Sequence, residues 1–233
     1  SFENPKEYID TNIVGFFNLI NLIKNTKCKN FVYASSSSVY GHNKKMPFSE
    51  NDRVDSPLSL YAASKKTNET IASSYSYLYN INVTGLRFFT AYGPYGRPDM
   101  ALFKFTKNIL EGKAIEVFNN GNHKRDFTYI DDIIEGIYLS TKRFEKSKRK
   151  QSKFKIYNIS NGKPVLLKNF IKEIERTLKI KSIKKYLPLQ LGDVANTHGD
   201  ISLLKNDFNF SPKINYKNGI KKFIDWYLVF YKK

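Results

Sequence analysis

The sequence predicts an α/β fold with a parallel sheet, followed by a smaller α/β region nearer the C-terminus. Short runs rich in β-branched and aromatic residues alternate with longer segments whose apolar residues recur at helical spacing. That alternation is typical of parallel strands joined by crossover helices. The length of 233 residues and the hydrophobic fraction of 41% suit one large domain, or one and a half ordinary ones, with a substantial core.

The first half of the chain shows the alternation most clearly. Apolar residues such as Ile9, Ile13 and Ile20 mark a helix near the start. A short buried strand then leads into four consecutive serines at 35–38, and Pro47 interrupts the long loop that follows. The predicted elements are helices over 6–26 and 60–79 and strands over 30–34 and 82–89.

The pattern changes after Thr90, where a rigid loop rich in glycine and proline spans 93–98. Asp131 and Asp132 are expected to cap the helix that follows them, because an aspartate accepts hydrogen bonds from the free N–H groups of a first turn. The predicted elements in this half are helices over 101–111, 133–143, 167–178 and 216–231 and strands over 115–118, 125–130 and 154–159.

The net charge of +18 points to a different class of function. A basic protein of this kind could bind nucleic acid. The lysines are spread along the chain, however, and the one dense run, over 142–155, falls between a predicted helix and a predicted strand. We interpret that run as a solvated loop and expect no nucleic-acid partner, although part of the charge would suit an anionic substrate.

Several other classes of protein do not fit this chain. No apolar run approaches the roughly 20 residues needed to cross a bilayer, so we expect no membrane partner. No basic-then-apolar leader opens the chain, and we expect the protein in the cytoplasm. The single Cys28 excludes an internal disulfide, and His42, His123 and His198 are far apart, so we predict no metal site.

The most informative feature is Tyr61, which stands four residues before Lys65 on the second predicted helix. Residues i and i+4 lie on one face of a helix, and a nearby ammonium favours phenolate over phenol. A phenolate can act as general base towards a sugar or alcohol hydroxyl, which a serine at 35–38 would hold in place. Tyr-x-x-x-Lys alone is a weak signal, but its position after a serine-rich strand end makes it much more specific.

Several stretches of the chain, in the same order, resemble the extended short-chain dehydrogenase/reductase superfamily of nucleotide-sugar epimerases and dehydratases. Within that superfamily the sequence is most similar to the UDP-glucuronate 4-epimerases. The resemblance runs over almost the whole chain and is strongest over 8–134. The stretches that carry it are Tyr33–Gly41, Lys45–Phe48, Leu60–Lys66, Thr84–Thr90, Gly93–Ala101 and Lys124–Asp132.

The resemblance implies a catalytic role for three residues. Tyr61 would be the catalytic base, and Lys65 its partner and a ligand of the nicotinamide ribose. Ser36 would bond the reacting hydroxyl, with Ser37 and Ser38 less favoured. The implied reaction is reversible oxidation at C4 of the sugar by a tightly held NAD, through a 4-keto intermediate.

The resemblance also implies binding roles. Cofactor contacts are implied for Asn12, Ser35, Tyr61 and Lys65, and substrate contacts for Ser37, Thr90, Arg97, Arg125 and Asp193. Arg97 would pair with the glucuronate carboxylate, and Arg125 and Asp193 would hold the UDP moiety. The alternatives are a loop-stabilising role for Arg97 and a backbone-bonding role for Asn12. Gln190 stands where some relatives carry arginine, which leaves the diphosphate contacts open.

Two classes of function are therefore compared. The first is an enzyme, a UDP-glucuronate 4-epimerase that acts on a UDP-sugar as a homodimer. Within that class UDP-glucose 4-epimerase is the near rival, and the 4,6-dehydratases fit less well because Ser37 and Ser38 offer no acid where those enzymes use an Asp-Glu pair. The second class is a non-catalytic basic binding module on an epimerase scaffold.

One expected motif is absent from the sequence. No Gly-x-Gly-x-x-Gly or Gly-x-x-Gly-x-x-Gly occurs, although that loop would hold a dinucleotide pyrophosphate. We therefore expect an N-terminally truncated chain, with a partial Rossmann-like sheet. The expected organisation is the C-terminal part of an NAD-binding domain over 1–92 and a sugar-nucleotide-binding region over 93–233, with some segments returning to the sheet.

Overall fold

The structure, a computed structural model, describes residues 4–28, 30–142, 153–189 and 194–232. It divides the chain into two compact units. The first comprises Ser1–Phe89, Glu135–Ile159 and Gly199–Phe210, and the second Thr90–Ile134, Ser160–His198 and Ser211–Lys233. Most of the basic run predicted as a loop, residues 143–152, lies outside the described residues.

The elements, in chain order, are as follows. The helices are α1 (Pro5–Tyr8), α2 (Phe16–Lys24), α3 (Leu60–Tyr79), α4 (Ala101–Leu110), α5 (Ile130–Thr141), α6 (Leu167–Leu178), α7 (Ser202–Phe208) and α8 (Tyr216–Phe230). The strands are β1 (Asn30–Ser36), β2 (Asn82–Phe88), β3 (Thr90–Tyr92), β4 (Ile115–Phe118), β5 (Lys124–Arg125), β6 (Phe127–Tyr129), β7 (Phe154–Ile159), β8 (Val165–Leu166) and β9 (Lys184–Leu187). A π-helical segment, Ile9–Gly15, joins α1 to α2.

The first unit is built on a parallel sheet with the strand order β1–β2–β7. Helices α2 and α3 pack on this sheet through a buried apolar cluster that includes Ile20, Ala72 and Val83. Ser36 ends β1 opposite Phe88 of β2. In an open parallel sheet the carboxyl ends of the strands are where ligands bind, so the register places the serine cluster at the functional edge.

The second unit contains two-stranded pairings. Strands β3 and β6 are parallel, β4 and β9 are parallel, and β5 and β8 are antiparallel. Its core is rich in aromatic residues. The rings of Phe127 and Phe170 stack with centroids 4.0 Å apart, and Phe103 and Phe223 pack in the same cluster.

The α/β class and most of the predicted elements are confirmed. The helices over 60–79 and 167–178 and the strands over 115–118 and 154–159 have the predicted bounds. The short helix α7 and the strands β3, β8 and β9 were not predicted, and the helix predicted over 6–26 is interrupted by the π-helical segment. Among the described helices, none is both long enough and apolar enough to cross a membrane.

The prediction that Asp131 and Asp132 cap the next helix is wrong. Helix α5 begins at Ile130, so both aspartates lie inside its first turn. The carboxylate of Asp132 instead accepts hydrogen bonds from the backbone N–H groups of Lys213 and Ile214, at 2.8 and 3.0 Å. A tertiary contact therefore takes the acceptor that the sequence assigned to a local cap.

A second buried aspartate fixes another loop of the same unit. Asp126 is fully buried between β5 and β6. Its carboxylate accepts hydrogen bonds from the backbone N–H groups of Asn161 and Gly162. The bonds hold the loop after β7 against the strand that carries Arg125, as expected for a buried carboxylate that must be paired.

Candidate active site

Helix α3 carries Tyr61 and Lys65 and begins at a well-formed cap. The hydroxyl of Ser59 accepts a hydrogen bond from the backbone N–H of Ala62 at 3.1 Å, which satisfies one free donor of the first turn. The helix ends at Asn80, whose left-handed φ of 58° terminates it. The cap fixes where the helix begins, and so fixes Tyr61 within its first turn and Lys65 one turn later.

Lys65 is held against the sheet. Its ammonium donates a hydrogen bond to the carbonyl of Ala34, two residues before Ser36, at 3.1 Å. The same nitrogen lies 5.9 Å from the centroid of the Tyr61 ring. Burial lowers the pKa of Lys65. The Tyr61 hydroxyl has no hydrogen-bond partner among the described residues, so it is available to a ligand.

The side chains of the serine cluster point in different directions. Ser36 accepts hydrogen bonds from the backbone N–H of Ser38 at 3.2 Å and from its hydroxyl at 2.8 Å. Both bonds use the oxygen of Ser36 as acceptor and leave its proton free to donate. Ser35 points to the other side of the strand and donates to Glu69 at 2.6 Å, while Ser37 is half-buried.

Asn12 lies in the π-helical segment Ile9–Gly15. Its amide donates to the hydroxyl of Ser64 at 3.0 Å, and Ser64 donates in turn to the carbonyl of Tyr61 at 2.8 Å. Single π-helical turns occur frequently at functional sites. The structure thus connects Asn12 to the backbone of Tyr61 through one intermediate side chain.

In the second unit, Thr90 and Arg97 line one small cavity of about 50 Å³. The Arg97 guanidinium makes a two-point ion pair with Asp99, with Nε–Oδ1 and Nη2–Oδ2 distances of 3.0 and 2.5 Å. Both side chains are mostly exposed. The hydrogen bond from Arg97 lowers the pKa of Asp99. Arg97 therefore already binds a carboxylate in the geometry that a planar guanidinium favours.

Arg125 is half-buried on β5. Its Nη1 donates to the carbonyl of Ala195 at 3.0 Å and to that of Lys124 at 3.3 Å. The predicted substrate residue Asp193, like Gln190, lies outside the described residues. Among the described residues, no three His, Cys, Asp or Glu side chains come together to hold a metal ion.

Comparison with known proteins decides the family. Residues 1–160 match the family model of the NAD dependent epimerase/dehydratase family. The chain belongs to this family.

Similar proteins in this family include curated relatives and solved structures. The chain is 50% identical to protein CapI of Staphylococcus aureus, over 100% of this chain and 73% of the relative. It is 46% identical to UDP-glucuronate 4-epimerase 4 of Arabidopsis thaliana, over 99% of this chain and 55% of that protein. A crystal structure of UDP-glucuronic acid 4-epimerase from Bacillus cereus with UDP-glucuronic acid and NAD matches 97% of this chain and 70% of its own, with a TM-score of 0.89 and 30% identity.

Two buried residues of this epimerase/dehydratase chain were not singled out from the sequence. Arg87 of β2 and Glu69 of α3 form an ion pair in which each side chain is 3% exposed. Arg87 Nε and Nη2 donate to the two carboxylate oxygens at 2.8 and 2.9 Å. The signal was present, because an arginine inside an apolar strand predicts a buried partner.

Proposed function

We propose that the protein is an NAD-dependent nucleotide-sugar 4-epimerase that interconverts UDP-glucuronate and UDP-galacturonate through a 4-keto intermediate. The observation that carries the proposal is Tyr61, whose hydroxyl has no partner among the described residues and whose ring centroid lies 5.9 Å from the Lys65 ammonium. The resemblance to UDP-glucuronate 4-epimerases over nearly the whole chain supports the choice of sugar.

The residues near Tyr61 fit a bound dinucleotide. The ammonium of Lys65 uses one donor on Ala34, and the others suit the two hydroxyls of the nicotinamide ribose. Asn12 lies on the adjoining π-helical segment and can contact the cofactor from there. The Ser35 hydroxyl is occupied by Glu69, so any contact from Ser35 would use its backbone. When bound, NAD supplies the acceptor and donor of hydride.

The side chains of the first unit would manage the proton. Tyr61, as phenolate, takes the proton of the sugar 4-hydroxyl, and returns it after the ring has turned over. The Lys65 ammonium stabilises that phenolate by its charge. Ser36 donates its free proton to the reacting oxygen and orients it, while Ser38 holds the oxygen of Ser36 in place.

The carboxylate of the sugar sets a further requirement. A 4-keto uronate is a β-keto acid, which loses CO₂ when its carboxylate C–C bond aligns with the ketone π system. We propose that Arg97 exchanges its two-point pair with Asp99 for the same contact with the sugar carboxylate, and that Thr90 contacts the sugar. Arg125 and Asp193 would hold the UDP moiety, and Ser37 would contact the sugar.

We also propose that the protein acts as a homodimer. Exposed apolar side chains lie on α2 and α3, including Phe17, Leu22 and Leu78, of which Leu22 and Leu78 are 61% and 65% exposed. The two helices contact each other, and large apolar side chains this exposed on them suit contact with a second copy.

The test is to offer the protein UDP-glucuronate, UDP-galacturonate and UDP-glucose and to resolve the products by chromatography. Interconversion of the two uronates, lost in Tyr61→Phe by roughly 10²- to 10⁴-fold, is expected. Tyr138→Phe, an exposed tyrosine on α5, is the matched control and should keep full activity. Conversion of UDP-glucose without UDP-glucuronate would replace the proposed substrate by that of the near rival.

A further inference from the structure

The buried pair Glu69–Arg87 lies within the first unit, close to each proposed catalytic element. Glu69 stands one helical turn after Lys65 and two turns after Tyr61 on the same face of α3. Ser35, directly before Ser36 in β1, donates to the same carboxylate that Arg87 binds. One carboxylate therefore joins the helix with the base to the strand with the serine.

A second connection runs parallel to the first. Lys65 donates to the carbonyl of Ala34, the residue next to Ser35. Two neighbouring residues of β1 are thus tied to two residues of α3 that are one turn apart. Two such contacts fix both the distance and the rotation of a helix on a strand, whereas one contact fixes only the distance.

Arg87 extends the connection to the segment after Ser36. Its guanidinium lies 4.8 Å from the centroid of the Tyr40 ring, and Ser35 and Arg87 are partners in the sheet register. Tyr40 donates in turn to Asn158 of β7 at 2.7 Å. Burial disfavours the Arg87 cation, but its contacts with Glu69 and Tyr40 together outweigh this and raise the pKa of Arg87, so the guanidinium stays charged.

We propose that Ser35, Glu69 and Arg87 are positioning residues for the reaction, which set the Tyr61–Lys65 face of α3 in register with Ser36. The proposal rests on the proposed function for its catalytic consequence. None of the three side chains needs to touch substrate, because Ser35 and Glu69 are buried and point to each other. A displacement of about 1 Å in such an arrangement can cost on the order of 100-fold in rate.

The test compares the kcat of the Ser35→Ala variant with that of the Ser76→Ala variant. Ser76 of α3 is a matched control. It is also a buried serine whose hydroxyl donates a hydrogen bond, in this case to the carbonyl of Ile81 beyond the C-terminal end of the helix. Per NAD-loaded site, we expect Ser35→Ala to lower kcat by roughly 10- to 100-fold, with KM within about twofold. Ser76→Ala should change only the melting temperature. Equal kcat values in the two variants would overturn the proposal.

A substrate-free measurement separates this proposal from the choice of substrate. Melting temperatures are measured for Ser35→Ala, Lys65→Met and the double variant, and for the same set with Ser76→Ala. Because the two contacts restrain one helix face, the Ser35 and Lys65 losses should not add, whereas the Ser76 and Lys65 losses should. Additive losses for Ser35 and Lys65 would sink the positioning role, even if a different sugar nucleotide proved to be the substrate.

Discussion

At the scale of single residues, the chemistry depends on how few partners the reactive groups have. The Tyr61 hydroxyl is left without a partner among the described residues, and Ser36 accepts two hydrogen bonds but keeps its proton. Lys65 donates one hydrogen bond, to the carbonyl of Ala34. Groups that structure already satisfies are poor catalysts, so this division separates Ser36 from Ser35, whose hydroxyl is committed to Glu69.

Lys65 should limit activity on the alkaline side. Burial lowers its pKa, so its charge should be lost below the usual lysine value of about 10.4, and kcat should fall there. The folded protein binds fewer protons than the unfolded chain between the two pKa values, so this group makes stability rise with pH in that window. The check is to measure kcat and the melting temperature of the wild-type protein from neutral to alkaline pH. The melting temperatures of Lys65→Met and of the neighbouring Lys66→Met are measured over the same range for comparison. A flat kcat up to the ordinary lysine pKa would contradict the role.

Arg97→Ala should weaken the use of UDP-glucuronate. A two-point charge-assisted hydrogen bond is lost, so kcat/KM should fall by roughly 10- to 100-fold. UDP-glucose, which has no carboxylate, should be affected much less. Steady-state kinetics on both sugars measure the difference, with Arg53→Ala, an exposed loop arginine of the other unit, as control. Unchanged kcat and KM would remove Arg97 from the site.

At the scale of elements, buried carboxylates join segments that local caps cannot connect. Asp126 and Asp132 each accept hydrogen bonds from backbone N–H groups of segments far away in sequence. Glu69 joins α3 to the sheet by accepting hydrogen bonds from the side chains of Ser35 and Arg87. An unpaired buried carboxylate is costly, so each of these contacts forms only when both segments are in place.

Asp132→Asn should destabilise the protein, whereas Asp131→Asn, at the neighbouring position, should have little effect. Asp132 is buried and accepts two backbone hydrogen bonds, so its replacement should lower the free energy of unfolding by about 1–3 kcal/mol. The Asp131 side chain is 65% exposed and lies 3.7 Å from Lys222, and such surface pairs contribute about 0–1 kcal/mol. Urea unfolding of both variants measures the difference. Equal losses would show that the backbone contacts of Asp132 matter little.

At the scale of the whole molecule, the charge and the exposed apolar surface are the features that single sites leave unexplained. Membership of an enzyme family makes the basic binding module the weaker reading of the charge of +18. The apolar residues exposed on α2 and α3 are explained if a second copy covers them.

Leu78→Glu should therefore produce a monomer. A buried glutamate at a subunit contact would be unpaired and costly, so the sedimentation equilibrium should shift from dimer to monomer. Val229→Glu, at an 81% exposed position on α8, is the control and should leave the dimer intact. A wild-type protein that sediments as a monomer, or a Leu78→Glu variant that remains dimeric, would rule out this surface.

The sequence by itself determined the fold class, most of the longer elements and the Tyr61–Lys65 pair. These follow from local regularities: apolar periodicity, glycine and proline breakers and helical spacing act over a few residues, so they can be read without a structure. The same is true of the serine cluster, which directly follows the apolar run of β1.

Only the tertiary structure decided which polar groups pair. Glu69 and Arg87 are 18 residues apart, and Asp132 reaches Lys213 across 81 positions. No local pattern selects such partners. A buried charge needs a partner, but the residues around it in the sequence do not specify which residue that partner is. The division between Ser35 and Ser36 was likewise decided by the strand, whose alternation turns one hydroxyl towards Glu69 and leaves the other for the site.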